Sequence, residues 1–257
     1  MRISSTLTLV AAALAVSGSA FAATPDAPDV PTGAKNIVIV HGAFTDGSGW
    51  RAVHDILIHK GYNVRIVQPP MTTFEGDVAA TSNAVIGQTG PVVLVGHGYG
   101  GAVITEAGAR PKVKALVYVA AFEPDVGESV TQLAGSMPKL TDGVRMTIDG
   151  HYYFDPAKYG TDYAGDLVSN RTDFMAVSQV PATVATFASA PYSVAWHNKP
   201  TYGIVATDDR VINPDLQRWM YKRAGSKVTE VKASHAIEIS QPEAVAKVIE
   251  EAALHAK

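Results

Sequence analysis

Residues 92–107 read V-V-L-V-G-H-G-Y-G-G-A-V-I-T-E-A. Val92 to Val95 are apolar and mostly β-branched, which suits a strand covered on both faces. Gly96 to Gly101 then form a glycine-rich corner, and Ala102 to Ala107 read as a helix. Strand, tight glycine turn and helix together are the setting of a nucleophile elbow. In its G-x-S-x-G form, small flanking residues permit a sharp turn and the central side chain is held at the top of a sheet. Here the central position is Gly98, which has no side chain to present.

Further strands are predicted on either side of this corner, at Ile37 to Val40, Val64 to Val67, Ala115 to Val119, Tyr202 to Val205 and Val228 to Val231. The last alternates apolar with polar residues and is predicted at a sheet edge. Helical patterns separate the strands. Trp50, Val53, Ile56 and Leu57 share a face after Gly49, and Leu216, Trp219 and Met220 precede a terminating Gly225. Val245, Val248, Ile249 and Ala252 follow Ser240-Gln241-Pro242-Glu243, which is predicted to be a capping box. This alternation implies an α/β fold with a doubly wound, mostly parallel sheet that binds ligands at the carboxyl ends of its strands.

The rhythm breaks between Phe122 and Trp196. A hairpin with an Asp149-Gly150 turn, then helical pieces at Arg171 to Ser178 and Pro181 to Ala188, are predicted there. The whole interval, about residues 123–196, is read as a mainly helical lid insertion in a domain spanning residues 36–257.

The elbow stretch resembles that of α/β-hydrolase-fold esterases related to plant methyl-ester hydrolases and hydroxynitrile lyases, where G-H-S-Y-G-G is usual. H-G-A-F-T-D-G-S-G-W at 41–50 and A-S-H-A-I-E-I-S-Q-P-E-A-V-A at 233–246 carry the resemblance over nearly the whole mature chain. It implies an α/β-hydrolase fold and a set of roles. His235 matches the general base, and Asp209 in A-T-D-D-R-V-I-N-P matches the acid that orients it, with neighbouring Asp208 as the competitor. Ala43 and Tyr99 match the residues whose backbone N–H groups form an oxyanion hole, and Gly98 stands where the family has its serine. His41 and His97 are expected to brace turns rather than to react.

Glycine takes the positive φ of an elbow at little cost, so the fold should survive the substitution. Turnover should not, because losing a triad nucleophile typically costs about 10⁶ in rate, with about 10³ to 10⁴ over the uncatalysed reaction left to the oxyanion hole and binding. Ser48 and Ser234 lie near the motifs in sequence, but neither occupies the elbow. The expected function is therefore a carboxylic-ester hydrolase scaffold, nearly inactive as written. Two alternatives stand beside it: a non-catalytic small-molecule binding protein, and a cofactor-free lyase or dioxygenase that works through His235 and Asp209.

Phe44, Phe122, Phe154, Phe174, Met175, Phe187 and Trp196 are the candidate pocket residues, and together they suit a small, largely apolar ester or its acid product. A net charge of −3 offers no footprint for nucleic acid, and the histidines lack metal-binding spacing, so neither metal nor cofactor is expected. No pattern specifies an oligomeric state. The first 22 residues combine Arg2, an apolar run from Leu7 to Val16 and Ala20-Phe21-Ala22, as in a cleaved secretory signal. A periplasmic or secreted protein is expected, with no membrane association after cleavage, and the absence of cysteine leaves it to core packing alone. The proline-rich stretch within residues 23–35 is predicted to be a flexible leader, with order starting at Asn36.

Overall fold

The computed structural model describes residues 32–256. The predicted signal segment and most of the predicted leader lie outside the described residues. Six parallel strands form the central sheet: β1 (Asn36–Val40), β2 (Asn63–Val67), β3 (Val92–His97), β4 (Val113–Val119), β8 (Thr201–Ala206) and β9 (Lys227–Val231). Their order is β2-β1-β3-β4-β8-β9, so the elbow strand β3 is central. β9 is an edge, as its alternation predicts, and β2 is the other.

The unbroken apolar runs follow from burial on both faces. Val38, Val40, Val92 and Leu94 point into one layer, which contains the insertion, while Ile37, Ile39, Val93 and Val95 point into the other, against the helices Arg51–His59 and Pro242–His255. Each fully buried Val, Leu or Ile contributes about 1.5–3 kcal/mol relative to exposure. With strands this deep in the protein, the loops at their carboxyl ends start from fixed points.

Three expectations are corrected. Ordered packing begins before Asn36: Ala34 is fully buried and its N–H donates to Ala253 O at 2.9 Å, tying it to the last helix. The capping box is absent at Ser240. A residue preceding proline is driven out of the helical region, so Gln241 (φ −133°, ψ 50°) becomes the cap and Ser240 ends the short helix Ile237–Ser240. Trp219 stays 44% exposed, stacked on Arg223, whereas Leu216 and Met220 are buried.

The segment between β4 and β8 contains a second sheet of antiparallel strands β5 (Val144–Met146), β6 (His151–Phe154) and β7 (Ala182–Thr183). The hairpin turns at Asp149-Gly150, where Gly150 has φ 80°. The helix Ser169–Val177 is present, but the one predicted from Pro181 starts only at Val184. Ala182 is taken by pairing with Tyr152, and the Thr183 hydroxyl accepts from Thr186 N to start the helix. The insertion is thus mixed α and β.

Candidate active site

The carboxyl ends of β1, β3, β8 and β9 meet at one place. The turn after β3 puts Gly98 at φ +54°, a left-handed conformation that glycine takes without strain. Its carbonyl accepts from Phe122 N at 3.0 Å and from Gly101 N at 3.2 Å, which pins the corner between the helix Gly100–Ala107 and the end of β4. A Cβ at residue 98 would lie 3.1 Å from His235 Nε2 and 3.6 Å from Gly42 Cα. Gly42 must itself be glycine, since a Cβ there would sit 2.8 Å from His97 Nδ1.

His235 is 2% exposed, in the loop after β9, with its Nδ1 2.7 Å from Asp209 Oδ2. Asp209 is buried while Asp208 is exposed, so burial selects between the two aspartates. The Asp209 carboxylate also accepts from Val211 N at 2.7 Å, Ile212 N at 3.0 Å and Gln217 Nε2 at 2.9 Å. Four hydrogen bonds hold it in place facing the imidazole. Among the described residues, neither the Ala43 nor the Tyr99 N–H has a protein acceptor, so both amide hydrogens are available. Such an arrangement can take a proton at Nε2 and receive a developing oxyanion at two amide hydrogens.

His97 and His41 both make turn contacts. His97 Nε2 donates to His235 O at 2.9 Å, and His41 Nδ1 donates to Gly42 O at 2.7 Å. Burial lowers the pKa of both. Ser48 is exposed, and Ser234 Oγ donates to Asp166 at 2.5 Å.

Three residues that sequence reasoning missed hold this geometry. Tyr163 donates to Ala43 O at 3.1 Å and Tyr159 to Phe44 O at 3.0 Å, so two hydroxyls from the insertion clamp the H-G-A-F turn. Phe44 sits at φ 64°, costly for a non-glycine residue, which such clamping offsets. Both tyrosines lie in one π-helical turn, Tyr159–Tyr163, which no sequence periodicity announces. Gln217 is the third. It falls beside Leu216 in the predicted helix, but nothing in that pattern says that its amide would face Asp209.

A cavity of about 400 Å³ opens beside the site. Its walls include Phe44, Phe122, Tyr152, Phe187, Ile212 and Leu216. Phe122 bonds to Gly98 and Ile212 to Asp209, so the cavity borders the corner and the acid. The other pocket candidates lie elsewhere. Phe154 is fully buried behind Phe44, Tyr159 and Tyr163, as the floor of an aromatic stack. Phe174 is 68% exposed and, with Met175, lines a separate cavity of about 150 Å³ on the far side of Tyr159, because the helix Ser169–Val177 turns that face outward. Trp196 packs into the core, its Nε1 donating to Pro124 O at 2.8 Å.

The fold and the corner define an α/β hydrolase, and the chain belongs to the alpha/beta hydrolase family, whose model matches residues 37–248. It is 28% identical over 202 residues to alpha/beta hydrolase nvfD of Aspergillus novofumigatus, covering 72% of this chain and 80% of that one. It is 25% identical over 222 residues to methylesterase 2 of Arabidopsis thaliana, covering 72% and 82%. In three dimensions it resembles a pyrethroid hydrolase from Sphingobium faniae, with a TM-score of 0.72 at 21% identity, covering 85% of this chain and 96% of that one.

Proposed function

We propose that this chain is a carboxylic-ester hydrolase scaffold for small, largely apolar esters, nearly silent in turnover because residue 98 carries no hydroxyl. One observation carries the reading: His235 Nε2 faces residue 98 at contact distance while its Nδ1 is bonded to Asp209. A relative named as a methylesterase supports the ester class. The apolar cavity beside the corner supports an apolar acyl or alkyl group.

In the chain as it stands, residual hydrolysis runs through water. The imidazole takes a proton from water at Nε2, and the hydroxide oxygen bonds to the ester carbon. Its carbonyl electrons move to an oxyanion held by the Ala43 and Tyr99 N–H groups. As the carbonyl re-forms, the C–O bond breaks and the leaving alcohol takes the proton back from the imidazolium. The insertion is the lid over this chemistry, and the N-terminal residues direct export to the periplasm or the medium.

Short p-nitrophenyl esters, assayed on the unaltered chain beside Gly98→Ser, test the proposal. The serine variant should gain about 10³-fold or more in turnover. A gain of only a few-fold would overturn it. The retained cavity beside a missing hydroxyl favours one other reading, a small-molecule binding protein. Calorimetry with an ester and its acid separates the two, since a receptor binds one tightly and releases it unchanged.

A further inference from the structure

A second carboxyl lies close to His235, beside the neighbouring imidazole of His97. Glu238 follows three residues after the histidine, in the short helix Ile237–Ser240, and is 1% exposed. Its Oε2 stands 3.5 Å from His97 Nε2 and has no hydrogen-bond partner among the described residues. That same Nε2 donates to the His235 carbonyl at 2.9 Å, and the two imidazole rings are 4.5 Å apart. A proton on Nε2 leaves His97 Nδ1 as an unpartnered acceptor, so His97 is neutral and relays without carrying charge itself.

A buried carboxyl with a free oxygen is costly, and in a purely structural role an apolar side chain of similar length would serve better. We propose that Glu238 is a positioning residue for His235, acting through His97: ionised, it favours the protonated imidazole together with Asp209, and neutral, it leaves that task to Asp209 alone. The other groups that face it are known. Arg171 from the helix Ser169–Val177 favours its ionised form and Asp166 opposes it. Tyr159 and Tyr163 face it from the π-helical turn with their hydroxyls committed to backbone carbonyls, and His41 lies beyond His97. Burial outweighs all of these and pushes the Glu238 carboxyl up to about 7. Its charge therefore changes in the range where a histidine works.

NMR titration of the unaltered chain, following the Glu238 side-chain carboxyl carbon and the His235 Cε1, tests this without any need for turnover. The carboxyl should titrate near neutrality and the His235 curve should show a second inflection at the same pH. In Glu238→Gln, checked for folding by its amide spectrum, that inflection should vanish and the His235 midpoint should fall by about half a unit. Glu238→Asp, which keeps the charge, should restore part of the shift. A carboxyl titrating in the ordinary acidic range, or a His235 curve identical in folded Glu238→Gln, would overturn the inference while leaving the ester reading standing. If Glu238→Gln does not fold, the titration of the unaltered chain decides.

Discussion

His235 Nε2 lies 3.1 Å from the point where a side chain on Gly98 would begin. That is closer than most side-chain contacts, so a serine placed there obliges the imidazole to give by a few tenths of an ångström. The ring has little freedom, being bonded to Asp209 and flanked by Tyr163 at 4.9 Å and His97 at 4.5 Å. At φ +54° any Cβ also adds backbone strain of about 1–2 kcal/mol. Gly98→Ser and Gly98→Ala should both lose stability by about that amount in denaturant titrations, while only the serine gains turnover. Equal stability of all three chains would contradict the geometry.

Gln217 should matter to Asp209 far more than Asp208 does. Its buried amide donates to the Asp209 carboxylate at 2.9 Å and accepts from Ala206 N at 3.2 Å. Gln217→Leu leaves both partners short, which should cost about 1–3 kcal/mol of stability. In a Gly98→Ser background, it should also lower kcat by roughly tenfold with little change in KM. Asp208→Asn, at an exposed position, should change neither. Side-by-side kcat, KM and melting curves distinguish the cases.

The two tyrosines of the π-helical turn should act on the H-G-A-F turn without touching substrate. Tyr163→Phe and Tyr159→Phe each remove one hydrogen bond to that turn, and each should cost about 0.5–1.5 kcal/mol. Because Phe44 is held at φ 64° between them, the double variant should lose more than the sum. A double-mutant cycle measured by chemical denaturation gives the coupling directly, and strict additivity would show that the hydroxyls act independently.

Stability should respond to pH through Glu238. Its carboxyl, raised from 4.5 to about 7, favours folding in the neutral form. This contribution is fully present below pH 4.5 and is lost as pH rises through about 7, amounting to roughly 3 kcal/mol. His97, lowered by burial, works in the opposite sense: its contribution is present above the ordinary histidine range and is lost as pH falls below it. Glu238→Gln should therefore be the more stable chain at pH 9 and should lose that advantage at pH 4, as read from unfolding midpoints at both values.

Filling the cavity should block binding and leave the fold intact. Ala134 is a partly buried residue of its wall, on the helix Val130–Gly135. Ala134→Phe should weaken binding of a short apolar ester by tenfold or more in calorimetry. Since the added ring occupies open space, the melting temperature should move little. Undiminished binding would place the ligand elsewhere.

Much of this was legible in the residue string because it depends on local periodicity. Short, β-branched apolar runs at Ile37 to Val40 and Val92 to Val95 suit strands buried on both faces, and the glycines after β3 suit a tight corner. The cap at Ser240 was misjudged for a local reason as well, since proline acts on the residue before it more strongly than serine competes for the cap. The pocket was legible only in part. An aromatic of the insertion such as Phe174 carries no sign in the sequence of whether its helix turns it inward.

The residue string alone yields the succession of the main strands and helices and the glycine at the elbow, because each depends on neighbours a few residues away, while the acid at Asp209 and the base at His235 come from the resemblance that their motifs carry. Tertiary structure alone decided that Asp209 rather than Asp208 meets His235, that Gln217 steadies it, that Tyr159 and Tyr163 clamp the opposing turn, and that Glu238 lies behind His97. Those pairings join residues from distant parts of the chain, and their partners are fixed only when the sheet sets the directions in which its loops leave.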